Sequence, residues 1–228
     1  MPETHVDFSQ PVPLFPLANC VLLPHATIRL HIFEPRYRAM VEDALNGPRL
    51  IAMAVFNDPR WKSNYADNLI LHTAACLGYI VRDTQLPDGR YNILLQGLTR
   101  CRITTELEHE PYRLAHLEPL ETNPTLEIDL TDTRTRLETL IADPKLGELA
   151  AIQAVRNLLN HDLPTNALID LACLTLCEET EPRYQLLSEP NPHTRAAWLE
   201  HHLHHLRDTV TKALRSATGD TDTGIYLN

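Results

Sequence analysis

Cys173 and Cys177 lie four residues apart, and the run His201-His202-Leu203-His204-His205 repeats imidazoles at helical spacing, so together they offer the donor types of a Cys₂His₂ zinc site. A closed zinc site needs four ligands that converge. The two cysteines sit in "LIDLACLTLC", beside an apolar stripe where a free thiol behaves as a small hydrophobe. In the histidine segment the helical period turns Leu199, Leu203, Leu206 and Val210 to the core and leaves His201, His204 and His205 toward water. The pairs point apart, and no metal or other cofactor is expected. A second cluster is the stretch "HIFEPRYRAM", in which Glu34 lies near Arg36 and Arg38. One carboxylate beside two guanidiniums has its pKa lowered, which suits it poorly to general acid or base work near neutrality. Nucleophile and base pairs are also poor. The serines are Ser9, Ser63, Ser188 and Ser216, and the lysines Lys62, Lys145 and Lys212. Lys62 and Ser63 are chain neighbours, and Lys212 and Ser216 stand one turn apart with no accompanying oxyanion-hole pattern. No lysine follows a glycine as a phosphate-binding loop requires. The expectation is a protein that is not an enzyme.

The elements that position these residues change in kind along the chain. Up to about residue 122, short apolar runs alternate with turn signals: "VPLFPL", "TIRLHIF", "RLIAMAVF", "AACLGYIV", "YNILLQGL", "RCRITTEL" and "YRLAHLEPL". Asp88-Gly89 between two such runs predicts a hairpin, because glycine readily takes positive φ. One helix interrupts this half, "PRYRAMVEDALNG", with Pro35 at its first position and Gly47 at its end. After Asn123-Pro124 the period becomes helical in "LTDTRTRLETLIAD", "KLGELAAIQAVRNLLNHD", "PTNALIDLACLTLCEE" and "PHTRAAWLEHHLHHLRDTVTKALRSA". Pro144, Pro164, Pro182, Pro190 and Pro192 separate them. The reading is a β-rich domain over 1–122 and a helical subdomain over 123–228 with a flexible C-terminal tail. Trp198 is expected between helices.

Length and charge narrow the function classes. A chain of 228 residues can bury a sizeable core without staples. Its five cysteines are scattered and odd in number, and the first twenty residues lack the basic start and apolar run of a secretory signal, which reads as cytoplasmic with free thiols. No apolar run approaches the roughly 20 residues a membrane helix needs. The net charge is -10, divided as -3 over 1–122 and -7 over the rest, and the basic residues are dispersed. Nucleic acid held through its phosphates is therefore not an expected partner.

The stretch "PLFPLANCVLLPHATIRLHIFEPRYRAMVEDAL" resembles the opening of the Lon-protease amino-terminal domain, and the likeness continues through "LGYIV…LPDGRYNILLQGLTRCRI…EPYRLAHLEPL" to about Leu120. The resemblance implies an α+β fold: a PUA-like, β-rich pseudo-barrel with one inserted helix, followed by a C-terminal α-helical bundle. It implies a stand-alone bacterial member of that family without the ATPase and peptidase domains. Phe33, Glu34, Pro35, Arg36, Tyr37, Asp88, Gly89, Gly97 and Arg100 are then structural. Strand would end at Phe33, Pro35 would fix entry to the helix, and Glu34 would cap it or pair with Arg36 or Arg38, holding the packing of Phe33 and Tyr37.

What remains for function is recognition. Phe56, Trp61 and Tyr65 lie in the polar connection "FNDPRWKSNYADN", where aromatic side chains near solvent make good anchors for a peptide. The resemblance implies a non-catalytic module that binds unfolded or apolar polypeptide, or docks on a protease or chaperone partner. The alternatives are an RNA-binding PUA-like protein, which the acidity disfavours, and a small-molecule-binding protein.

Overall fold

The computed structural model describes residues 6–57, 69–120 and 125–217. Two compact units emerge. The first runs to Pro124 and also takes Cys177–Asn191; the second comprises Thr125–Leu176 and the chain from Pro192 on. The α+β layout is the expected one.

The first unit is built on six strands: β1 (Val12–Leu17), β2 (Thr27–Ile32), β3 (Leu50–Val55), β4 (Ala74–Gln85), β5 (Tyr91–Leu107) and β6 (Arg113–Pro119). They run in the order β2-β5-β4-β3-β1-β6, and β6 also pairs with β5, so five strands close into a barrel and β2 is left at its margin. Closure depends on β5. The runs "YNILLQGL" and "RCRITTEL" carry no turn signal between them and form one strand of 17 residues. Its first part pairs with β2 (Thr27↔Gln96 to Ile32↔Tyr91) and its later part with β6 (Cys101↔Pro119 to Leu107↔Leu114). Every residue of β3, "LIAMAV", is buried, as suits a strand flanked on both sides and covered on both faces. Leu14, Ala52, Ala54, Ala75, Leu77 and Cys101 fill the barrel among others, each with no exposed surface.

The β4–β5 hairpin turns at Pro87-Asp88-Gly89. Gly89 has φ +79, the left-handed region that glycine tolerates best, and its N–H donates to the Leu86 carbonyl at 2.8 Å. Asp88 accepts from the backbone N–H of Arg90 at 3.1 Å and from its guanidinium at 2.6 Å, closing the turn from the side.

Helix α1 (Pro35–Asn46) follows β2 as the sequence pattern predicts, with Tyr37, Met40, Val41 and Ala44 buried along one face. Glu34 occupies the N-cap position without making a side-chain cap; it pairs with Arg36 at 3.1 Å. Phe33 departs from expectation. Strand pairing stops at Ile32 and Phe33 is 60% exposed, so it is not part of the corner's packing. Tyr37 takes that role, with its ring edge-on to Phe15 at 4.6 Å between centroids. The Glu34–Arg36 pair is partly exposed. Glu34→Ala is accordingly expected to cost no more than about 1 kcal/mol, measured by urea unfolding, whereas a larger loss would mean the corner is held by the ion pair itself.

Helix α5 (Thr180–Ser188) belongs to the first unit. Pro182 reads as a break in the sequence, but it falls in the first turn, where a missing N–H costs nothing. Leu186 and Leu187 are buried, and the Tyr184 hydroxyl accepts the Ala74 N–H at the start of β4 at 3.2 Å.

The second unit holds α2 (Thr131–Ile141), α3 (Ala150–Leu159), α4 (Thr165–Leu176) and the long α6 (Pro192–Ala217). Leu137, Ile141, Ile152, Val155, Leu168 and Leu199 build its core. Glu127 reaches the start of α4 and accepts from the Thr165 N–H at 3.0 Å, placing negative charge at a helix N-terminus. At its centre Asp170 meets Arg195 at 3.0 Å with both side chains fully buried.

Candidate functional site

The β5–β6 connection, residues Glu108 to Tyr112, is polar and turns over one end of the barrel. It stands against the end of β1, the first turn of α1 and the end of β3. Between them lies a cleft of about 610 Å³ lined by Pro16, Tyr37, Phe56, Leu107, Pro111 and Tyr112, with Arg36, Arg113 and three glutamates among its polar walls. That volume lies in the range of ligand and side-chain pockets.

Each wall is fixed by a specific contact. The Tyr112 hydroxyl donates to Asp43 Oδ2 on α1 at 2.7 Å, which ties the connection to the helix. Arg113 grips Glu106 across the base of the connection through two bonds of 2.6 Å, and its third nitrogen donates to the Leu69 carbonyl at 2.9 Å. His109 lies against the Tyr112 ring at 4.5 Å. On the opposite wall the Arg36 guanidinium covers the Tyr37 ring at 4.6 Å. The cations of the cleft are thus paired or stacked. What they leave accessible is mixed: Leu107 is 37% exposed and Pro111 is exposed, beside the exposed carboxylates of Glu108 and Glu110.

Burial, together with the hydrogen bond to the Asp43 carboxylate, pushes the Tyr112 hydroxyl up to about 12. The unfolded tyrosine ionises near 10, so below that pH the interaction contributes fully; between about 10 and 12 the unfolded chain loses a proton that the folded one keeps, and stability falls. Absorbance titration at 295 nm is expected to show one tyrosine ionising last, near pH 12, and Tyr112→Phe to abolish that step. A Tyr112→Phe titration curve that keeps the late step would assign it elsewhere.

Of the aromatic residues expected near solvent, Phe56 is placed differently. It extends β3, bridges Leu71 and is only 8% exposed, so it supplies the cleft's floor and not an exposed anchor. Trp61 and Tyr65 lie outside the described residues. The described chain stops at Asn57 and resumes at Leu69, whose carbonyl accepts from Arg113. Leu107, Pro111 and Tyr112 escaped sequence reading, because "LEHEPYR" resembles an ordinary polar connection. Asp88, Gly89, Gly97 and Arg100 lie away from the cleft; Arg100 is buried and donates to the Leu186 carbonyl of α5 at 3.4 Å. The cysteine and histidine pairs do not meet. Cys173 is fully buried in the helical unit, Cys177 falls in the sheet unit, and His201, His204 and His205 are exposed. Among the described residues no group of three His, Cys, Asp or Glu side chains could hold a metal ion. Trp198 is half-buried and stacks on His202 at 5.1 Å.

The barrel, its inserted helix and the following helices match a known domain. The family model of the ATP-dependent protease La (LON) substrate-binding domain covers residues 11–205. The chain belongs to the Lon substrate-binding domain family. A Lon protease of Trichlorobacter lovleyi is 26% identical over 99% of this chain, and one of Dictyoglomus thermophilum is 33% identical over 54% of it. The chain spans only 28% and 15% of those two proteins. Two solved structures share the fold. The N-terminal domain of Mycobacterium avium complex Lon protease aligns with TM-score 0.63 at 14% identity over 85% of this chain and 98% of that one. A Lon N-terminal domain protein from Xanthomonas campestris aligns with TM-score 0.57 at 23% identity over 83% and 96%. What the chain shares with them is membership of the substrate-binding-domain family, over residues 11–205. No helix among the described residues is long and apolar enough to cross a membrane.

Proposed function

We propose that this Lon-type domain binds unfolded or apolar polypeptide at the cleft beneath the β5–β6 connection, without catalysing a reaction on it, and so presents clients to a proteolysis or chaperone partner. The observation that carries the reading is the apolar part of the cleft's lining, Pro16, Tyr37, Phe56, Leu107 and Pro111, next to the cations Arg36 and Arg113 that are already engaged by carboxylates. An apolar side chain laid against these residues displaces water from apolar surface without stripping the paired cations. The thiols support a non-catalytic role, since burial pushes Cys101 up to about 12 and raises Cys20 and Cys177, leaving little thiolate near neutrality. The sequence holds no phosphate-binding loop and no serine in a nucleophile's setting.

Anisotropy of a labelled casein fragment tests this. Binding in the micromolar range is expected, nearly unchanged by salt because the contact is apolar. Leu107→Glu, which adds a charge to the cleft's lining, is expected to weaken it about tenfold, and Trp61→Ala to weaken it as well. Unchanged affinity in Leu107→Glu would remove the cleft from the reading, and tight, salt-sensitive binding of a labelled RNA with no response to casein would replace polypeptide by nucleic acid.

A further inference from the structure

β2 is the strand that the closed barrel leaves over. Among the described residues it pairs with β5 alone, in unbroken register from Thr27↔Gln96 to Ile32↔Tyr91, and no backbone hydrogen bond reaches its other edge. β6, the other end of the strand order, has both edges paired. Exposed edges in globular proteins are usually blunted by charged side chains, proline or a bulge, and β2, "TIRLHI", has neither proline nor bulge and one permanent charge, Arg29. Its two faces differ. Ile28 and Leu30 stand opposite the buried Leu95 and Ile93 on the core face, yet remain half-buried, with no strand paired beside them among the described residues. Arg29 and His31 are on the outer face and exposed. His31 is engaged by Asn92 at 2.7 Å and Arg90 at 3.1 Å, and Arg90 is paired with Asp88. Arg29 has no ion pair or hydrogen bond among the described residues.

We propose that the free edge of β2 accepts an extended polypeptide segment as an added strand, and that it favours segments alternating apolar with acidic residues. The inference rests on the reading of the protein as a polypeptide-recognition module and supplies a second, sequence-tolerant contact for the same client. Main-chain donors and acceptors along the edge provide affinity for any extended chain. Alternate side chains then select: apolar ones cover the half-buried Ile28 and Leu30, and acidic ones on the other face meet Arg29. A second copy of this chain is a poorer occupant. The two antiparallel β2–β2 registers that pair most of the strand set Arg29 against Arg29 or His31, whereas an acidic segment gains from the same charge.

The test uses a fluorescein-labelled peptide alternating valine and glutamate, its valine and lysine counterpart, and two analogues of the first, N-methylated at every valine or at every glutamate. In an added strand only alternate N–H groups face the edge. One methylated series is therefore expected to lose at least about tenfold in affinity and the other to bind like the parent. Hydrogen exchange is expected to slow at alternate amides of β2 when the parent binds. Arg29→Glu, an exposed change, is expected to weaken the acidic peptide about fivefold and to reverse the preference toward the lysine peptide, and added salt to weaken the wild-type complex. Equal binding of both methylated series, or no slowed exchange in β2, overturns the proposal. Protection of β2 that rises with protein concentration in the absence of peptide also overturns it, by assigning the edge to a second copy. Casein binding that responds to Leu107→Glu while β2 stays unprotected sinks the edge proposal and leaves the cleft standing; β2 protection with casein binding indifferent to Leu107→Glu does the reverse.

Discussion

Asp170→Ala is expected to cost about 3–5 kcal/mol and to unfold the helical unit at far lower urea than wild type. Asp170 and Arg195 are fully buried, 3.0 Å apart, and the Arg195 guanidinium also donates to Asn166 Oδ1. Burying the ions is expensive, and their attraction and hydrogen bonds offset that cost only while both are present. Removing the carboxylate leaves a buried cation without its counter-charge, which is a larger penalty than the net worth of the pair. The double variant Asp170→Leu with Arg195→Met is expected to recover most of the loss, because it removes the desolvation problem along with the attraction. The sequence contains two tryptophans, so a Trp61→Phe background leaves Trp198 on α6 as the sole fluorescent reporter of this unit. If Asp170→Ala unfolds within about 1 kcal/mol of wild type, the interior is reached by water and the pair is not a buried one.

Asp170 also marks where sequence reading stops. In "NALIDLACLTL" it falls among apolar residues at helical spacing, and a lone acid there reads as the solvent face, since acids are almost never fully buried unless paired. Its partner is 25 residues away in "PHTRAAW", and nothing local to either segment announces the other. Features carried by neighbours in the chain were legible: the Asp88-Gly89 hairpin, the proline-started α1, the change from alternating to helical period after Asn123, and the ordered motif residues of the Lon family. Those carried by distant contacts were not. Helix α5 was hidden because Pro182 suggests a break and because its role depends on Tyr184 meeting β4, over a hundred residues earlier. The cleft was half legible. Phe56 was picked for its aromatic ring, but whether that ring faces water depends on the bridge to Leu71, and the exposed apolar surface came instead from Leu107 at the end of β5 and Pro111 between Glu110 and Tyr112.

Gly97→Ala is expected to cost about 3 kcal/mol, the upper end for forcing an extra methyl into a packed site. Gly97 sits on β5 where pairing with β2 ends and pairing with β6 has not begun. In that interval the loop after β1 closes over the strand: the His25 N–H donates to the Gly97 carbonyl at 2.9 Å, and the Gly97 N–H to the Ala26 carbonyl at 2.9 Å. A Cβ at this position would stand 2.2 Å from the Leu23 carbonyl oxygen and 2.9 Å from its carbon. Both are backbone atoms, so no rotamer change relieves the overlap; the loop must lift, lengthening both hydrogen bonds and drawing the buried Leu22 and Leu23 toward water. Gly47 provides the contrast. A Cβ there meets nothing closer than the Asp43 carbonyl at 3.4 Å and its φ is -115, so Gly47→Ala is expected to be neutral or slightly stabilising through the unfolded chain. Urea unfolding of the two variants side by side decides the matter. If Gly97→Ala proves as stable as Gly47→Ala, the loop does not lie against β5 as described, and the tight approach that requires glycine in "LLQGL" is lost with it.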